Sequence, residues 1–162
     1  MSNLIAEPQR RNMLHLAHLA MLAPPDFIIG GTDNPYLLRW HLTPRGDGPG
    51  IYVHHFLRSD DDRALHDHPY ASTSILLDGS YLEHLPGGVA LMRCQGETIS
   101  RDAETPHRVE LLPAPTGLQP VTTMFLCGPR VRDWGFHCPQ GWRPWQEFVD
   151  SRDKGGVGVG CG

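Results

Sequence analysis

The stretch that decides the reading is Leu65-His66-Asp67-His68-Pro69. On an extended chain, residues two apart face the same side, so His66 and His68 direct two imidazoles into one space while Asp67 points the other way. Imidazole nitrogen suits zinc, copper, iron and nickel, and two neighbouring donors already form a chelate. An exposed pair of histidines on an edge strand gives the same spelling. A third donor elsewhere in the chain is needed to decide between the two.

Outward from this pair, the sequence reads as short strands. Apolar or alternating runs at 36–43, 51–58, 64–68, 72–77, 80–85, 89–93, 97–101, 107–112, 121–127, 131–137 and 145–149 are each bounded by Gly, Pro, Asp or Asn. With 18 Gly and 15 Pro in 162 residues, this spacing argues for a closed barrel or jelly roll and against an open α/β sheet. One helix precedes the strands. Residues 8–22 bring Met13, Leu14, Ala17, Met21 and Leu22 to one face at helical spacing, and Pro24-Pro25 stops the run. The expected organisation is an N-terminal helical extension over 1–25, a barrel over 26–150 and a flexible Gly-rich tail over 151–162.

Composition narrows the partners. The formal net charge is −4 and the basic residues are scattered, so neither nucleic acid nor an anionic membrane surface is expected. No apolar stretch reaches the roughly 18 residues of a membrane span, and the first residues lack the apolar core of a secretion signal. The expectation is a cytoplasmic protein with its four cysteines, Cys94, Cys127, Cys138 and Cys161, as reduced thiols and Cys161 exposed. The charged run Ser59-Asp60-Asp61-Asp62-Arg63 lacks the Gly and terminal Glu of a calcium loop and reads as a solvated turn.

The third donor is His107, and with it the chain resembles the cupin superfamily. The first cupin motif is G(X)5HXH(X)3,4E(X)6G and the second G(X)5PXG(X)2H(X)3N. His66, His68 and Gly79 occupy first-motif positions, and Gly96, Asp102, Glu104 and His107 follow the spacing of the second. Ser72 stands where the first motif has its glutamate, Asp102 and Glu104 replace Pro and Gly, and Leu111 replaces the final Asn. The resemblance spans residues 50 to 137 and rests on the three histidines in register. It implies an all-β, double-stranded β-helix (jelly-roll barrel) holding one divalent metal ion at His66, His68 and His107: iron(II) first, with zinc, nickel, manganese or copper as alternatives. It also implies a homodimer as the form of assembly. Alternation after His107 agrees, since Val109 and Leu111 follow it inward while Arg108 and Glu110 point to solvent.

Three histidines without the glutamate leave coordination positions open, whereas structural zinc sites are closed by four protein ligands. Among cupins this pattern is similar to that of thiol dioxygenases. The resemblance therefore implies a mononuclear non-haem iron oxidoreductase of small molecules. A non-redox isomerase, epimerase or lyase and a non-catalytic metal or ligand sensor are the alternatives. Arg39, Ser72, Ser74 and His137 are candidate substrate contacts, and one of His54 and His55 faces inward. Asp78-Gly79 between two alternating runs predicts a two-residue hairpin that sets Leu76 opposite Tyr81 and Ser74 opposite Glu83. In that register Tyr81 and Glu83 line the metal cavity and Glu83 moves protons; a longer or bulged loop would turn His84 inward in its place. The aromatic segment from Trp134 to Trp145 either seals one end of the barrel or closes over the metal as a lid.

Overall fold

The computed structural model describes residues 3–44, 46–60, 63–150 and 158–162. In chain order the elements are β1 (Asn3–Leu4), α1 (Glu7–Ala20), β2 (Phe27–Ile29), β3 (Leu37–His41), β4 (Gly50–Phe56), β5 (Leu65–His66), β6 (Ser72–Asp78), β7 (Tyr81–Leu85), β8 (Val89–Arg93), β9 (Glu97–Arg101), β10 (Arg108–Leu111), β11 (Pro113–Ala114), β12 (Gly117–Leu118), β13 (Val121–Cys127), β14 (Gly135–Cys138), β15 (Gly141–Pro144) and α2 (Trp145–Phe148). The expected strand over 145–149 is thus the short helix α2, and the strand expected from 131 begins only at Gly135. Pro144 precedes α2 and cannot donate to a ladder, so the strand run ends there.

A seven-stranded antiparallel sheet in the order β1-β9-β6-β13-β4-β3-β2 forms one wall. The opposite side is built from two three-stranded sheets, β10-β7-β8 and β15-β14-β5, and β11-β12 is a separate ribbon. The strands therefore make a jelly roll of discrete sheets, not a ladder closed all the way round. The large sheet is buried on both faces. Its outer face carries Trp40, Val53, Ile75, Leu77 and Met124 against Ala17 of α1, with Met13, Leu14 and Met21 alongside. Leu22, expected on the same helix face, is 83% exposed because α1 ends at Ala20. The inner face packs Leu37, Phe56, Leu76, Ile99 and Val121 against Tyr81, Val109 and Leu111. Each fully buried Leu or Val of this layer stabilises the fold by about 1.5–3 kcal/mol.

The Asp78-Gly79 turn is present, with Gly79 at φ +82°, where an added Cβ would lie 2.8 Å from the Pro120 carbonyl oxygen. It does not make a hairpin. β6 stays in the large sheet between β9 and β13, while β7 crosses to pair with β8 and β10. Tyr81 stands opposite Arg93 and Leu111, and Glu83 opposite Leu91 and Val109, so the predicted Leu76–Tyr81 and Ser74–Glu83 pairs do not form. A turn with hairpin chemistry here serves as a corner between two sheets. Tyr81 and Glu83 still face inward, by the alternation of β7 itself.

Three further expectations differ from what the structure has. Cys138 and Cys161 form a disulfide, so these two are not free thiols; Cys94 and Cys127 are. Residues 158–162 of the expected flexible tail lie against α2, Gly160 donating to the Phe148 carbonyl at 3.0 Å. The rest of that tail, 151–157, falls outside the described residues, as do Asp61 and Asp62 of the charged run. Asp60 of that run is buried and is no part of a solvated turn.

Candidate metal centre

His66 and His107 are locked to each other before any ion is considered. Each donates its backbone N–H to the other's carbonyl at 2.9 Å, an antiparallel bridge between β5 and the start of β10. His66 also pairs with Phe136 of β14. His68 lies just past β5, held by its N–H to the Ala103 carbonyl at 3.0 Å. The donor nitrogens of His66, His68 and His107 all lie within 4.8 Å of one another, and the Nε2 atoms of His68 and His107 are 3.3 Å apart. Three imidazoles that close, on a two-residue bridge and a neighbouring turn, match the donor set of an ion seated between them.

Their protonation suits that role. Burial holds His68 and His107 well below the ordinary histidine range, so both are neutral with a lone pair to give. Nδ1 of His107 lies 3.2 Å from the Thr105 carbonyl, which fixes the proton there and leaves Nε2 facing His68. For His66 the outer partner is Asp60, whose Oδ2 is 3.8 Å from its Nδ1. The Asp60 carboxylate is itself anchored: it accepts the Val109 N–H at 2.6 Å and the Tyr36 hydroxyl. Burial pushes the Asp60 carboxyl up, with the nearby His66 opposing the shift.

Asp67, pointing away from the three rings, is the anchor of the segment. It is 1% exposed and accepts from the Gly135 N–H at 2.8 Å, the Trp142 indole at 2.9 Å, Arg132 at 2.8 Å and His137 at 3.1 Å. A buried carboxylate satisfied by four donors ties the His-x-His segment to the β14–β15 hairpin. His137 is therefore bound to Asp67 and is not on the wall of the histidine cavity.

The cavity itself measures about 770 Å³. Phe56, Phe125, Trp134, Phe136 and Trp145 supply apolar wall, so the aromatic segment seals this end of the fold. Arg39, Ser74 and Tyr81 are on the wall as well. Arg39 donates from Nε to Nε2 of His54 at 2.9 Å, and its guanidinium sits 5.3 Å from the centre of the Tyr52 ring. Of the two adjacent histidines, His54 is the one facing inward, kept neutral by burial, while His55 contacts Thr122 on the α1 side. Ser72 is buried, but it lines a separate cavity of about 440 Å³ beside Arg101, Asp102 and Cys127, and its hydroxyl has no hydrogen-bond partner among the described residues. Glu83 is 1% exposed yet is not on the cavity wall; its carboxylate is taken up by Arg101 and by Arg93, the latter at 2.6 Å. His84 points outward to Glu110 at 2.6 Å.

Sequence reasoning narrowed the inward histidine to His54 or His55 without choosing, and missed Asp60, Asp67 and Arg101 as parts of this site. Asp67 had a signal, since a carboxylate between two inward histidines faces whatever packs behind them. Asp60 had none, being one of three consecutive aspartates.

The sheets and their crossing connections are those of a double-stranded β-helix, the cupin fold. A mannose-6-phosphate isomerase-like protein from Ralstonia eutropha superposes with a TM-score of 0.50 at 17% identity, over 64% of this chain and 92% of that one. A protein with a double-stranded β-helix domain from Klebsiella pneumoniae gives 0.49 at 14%, over 67% and 90%. The DMSP lyase DddQ from Ruegeria pomeroyi gives 0.46 at 16%, over 57% of this chain and 47% of the lyase, so the chain spans about half that protein's length. No protein-family model matches the sequence, and no curated protein matches it at a significant level. Among the described residues no helix is long and apolar enough to cross a membrane.

Proposed function

We propose that the chain is a metal-dependent enzyme of the cupin fold that binds one divalent ion at His66, His68 and His107 and acts on a small molecule in the adjoining cavity. The observation that carries this is the cluster of three imidazoles within 4.8 Å of one another, those of His68 and His107 held neutral by burial, with no carboxylate among the donors, opening onto a cavity of about 770 Å³. Three protein donors leave positions for substrate and a second reactant, which a closed structural site does not. Iron(II) is the ion the reading favours, and the reaction class is a dioxygenase-type oxidation. When bound, such an ion supplies the redox chemistry that activates dioxygen beside a ligated substrate.

The chain's own residues do the rest. The Thr105 carbonyl holds the tautomer of His107, the Asp60 carboxylate stands 3.8 Å from Nδ1 of His66, the aromatic wall excludes water, and Arg39 and Ser74 offer polar contacts to substrate. Tyr81 is the proton-handling group on the wall, its phenol kept protonated because burial pushes it up. Glu83 acts on the reaction through Arg101.

Metal analysis of protein purified without added metal, followed by oxygen-uptake assays of the iron-loaded protein with thiols and catechols, tests this. Stoichiometric metal and substrate-dependent oxygen uptake are expected. Stoichiometric metal with no uptake would point to the second reading, a non-redox isomerase or lyase, which the protonated Tyr81 on the cavity wall favours as a general acid.

A further inference from the structure

Among the described residues, the wall of the histidine cavity carries four arginines, Arg39, Arg58, Arg63 and Arg101, against one carboxylate, Asp60, and no lysine or glutamate. Asp60 is already engaged by His66, Tyr36 and Val109. A divalent ion would add further positive charge. The wall is thus largely apolar with guanidinium groups set into it, a lining that suits an organic anion on an apolar body.

Arg101 is the most constrained of the four. Only 4% of its side chain is exposed, and three hydrogen bonds to two groups hold it: Nε donates to Glu83 Oε1 at 2.8 Å, Nη2 donates to the same oxygen, and Nη1 donates to Ser74 Oγ at 3.2 Å. Tyr81 lies in hydrogen-bonding reach on the same wall. A guanidinium has five N–H donors, so the head is fixed in orientation and still has donor capacity toward the cavity. It shares the cavity wall with His68 and His107. Burying an arginine this way is costly, and a fixed fork with donors to spare is the usual recognition element for a carboxylate.

Building on the proposed function, we infer that the ligand of this cavity is a carboxylate on an apolar or aromatic body, that Arg101 receives the carboxylate, and that Glu83 and Ser74 position Arg101 for it. Glu83 is thus a positioning residue that sets the direction of the guanidinium. Arg93, which is not on the cavity wall, holds the second oxygen of Glu83 and keeps that carboxylate satisfied when Arg101 is changed.

The test uses benzoate and its neutral isostere benzamide as probes in isothermal titration of the full-length protein, with and without bound metal, and metal content measured separately. Wild type should bind benzoate at least about tenfold more tightly than benzamide in both forms, the scale of one charge-assisted pair in a buried setting. Arg101→Gln should remove that preference and leave metal content unchanged. If the single variant does not fold, the double variant Arg101→Gln with Glu83→Gln removes both buried charges and is expected to give the same loss. Equal binding of the two probes by wild type, or a preference that survives loss of Arg101, would overturn the inference. A chain that takes up no metal but keeps the Arg101-dependent preference would defeat the metal reading and uphold this one.

Discussion

Asp60→Asn is the most informative single change around the three histidines. The substitution keeps the shape of the side chain and an oxygen able to accept the Val109 N–H, now at 2.6 Å, so the backbone anchor at the start of β10 survives. What it removes is the negative charge 3.8 Å from His66 Nδ1. An outer carboxylate of this kind orients the ring and makes its other nitrogen a better donor, and its loss typically lowers metal affinity about 10–100-fold. At about 1.4 kcal/mol per factor of ten, that is about 1.4–2.8 kcal/mol of binding free energy. The direct assay is competition for zinc or cobalt against a chromophoric chelator, with circular dichroism to show that the variant is folded. The stability of the metal-free protein should not fall, because burial already opposes the charged form of Asp60. A folded Asp60→Asn variant with wild-type metal affinity would refute the claim that Asp60 supports His66.

Three other outcomes follow from the same geometry. Asp67→Ala removes the buried acceptor of four donors, of which the Gly135 N–H is buried while Arg132, His137 and Trp142 are partly exposed, and should cost about 1–3 kcal/mol in chemical denaturation, the scale of a buried donor left unsatisfied; a loss under about 0.5 kcal/mol would show that the β14–β15 hairpin does not depend on it. Tyr52 is pushed up to about 12, chiefly by burial and then by its contact with Cys127. Because its folded value lies above the ordinary tyrosine value of 10, its contribution to stability is whole below pH 10 and is lost as pH rises toward 12. Tyr52→Phe should therefore flatten the fall of Tm with pH over that interval; an unchanged slope would count against it. Ser72→Glu should leave the metal spectrum of the cobalt-loaded protein unaltered, since Ser72 lines the smaller cavity, and a new oxygen ligand in that spectrum would place the residue at the ion.

The fold was legible from the sequence where one face of a strand differs from the other. Arg108, Val109, Glu110 and Leu111 alternate because β10 has solvent on one side, and they were placed correctly. In β4 the rule fails. His54 and Phe56 line the cavity with Tyr52 stacked on the same face, while Val53 packs on the α1 side, so both faces read as apolar and period two cannot choose between His54 and His55. The Asp78-Gly79 turn misled for another reason: its chemistry fixes local dihedral angles but not whether the next strand returns to the same sheet. The three histidines were visible through spacing alone. Their supports were not, because Asp60 and Arg101 reach the site through pairings distant in sequence, to Val109 and to Glu83.

Metal stoichiometry of the single variants His66→Ala, His68→Ala and His107→Ala, beside His15→Ala and His18→Ala on α1, bears most directly on the central claim. Each of the first three should lose most of its metal while remaining folded, and the two helix variants should keep wild-type content. Full metal content in all three cavity variants would contradict the account.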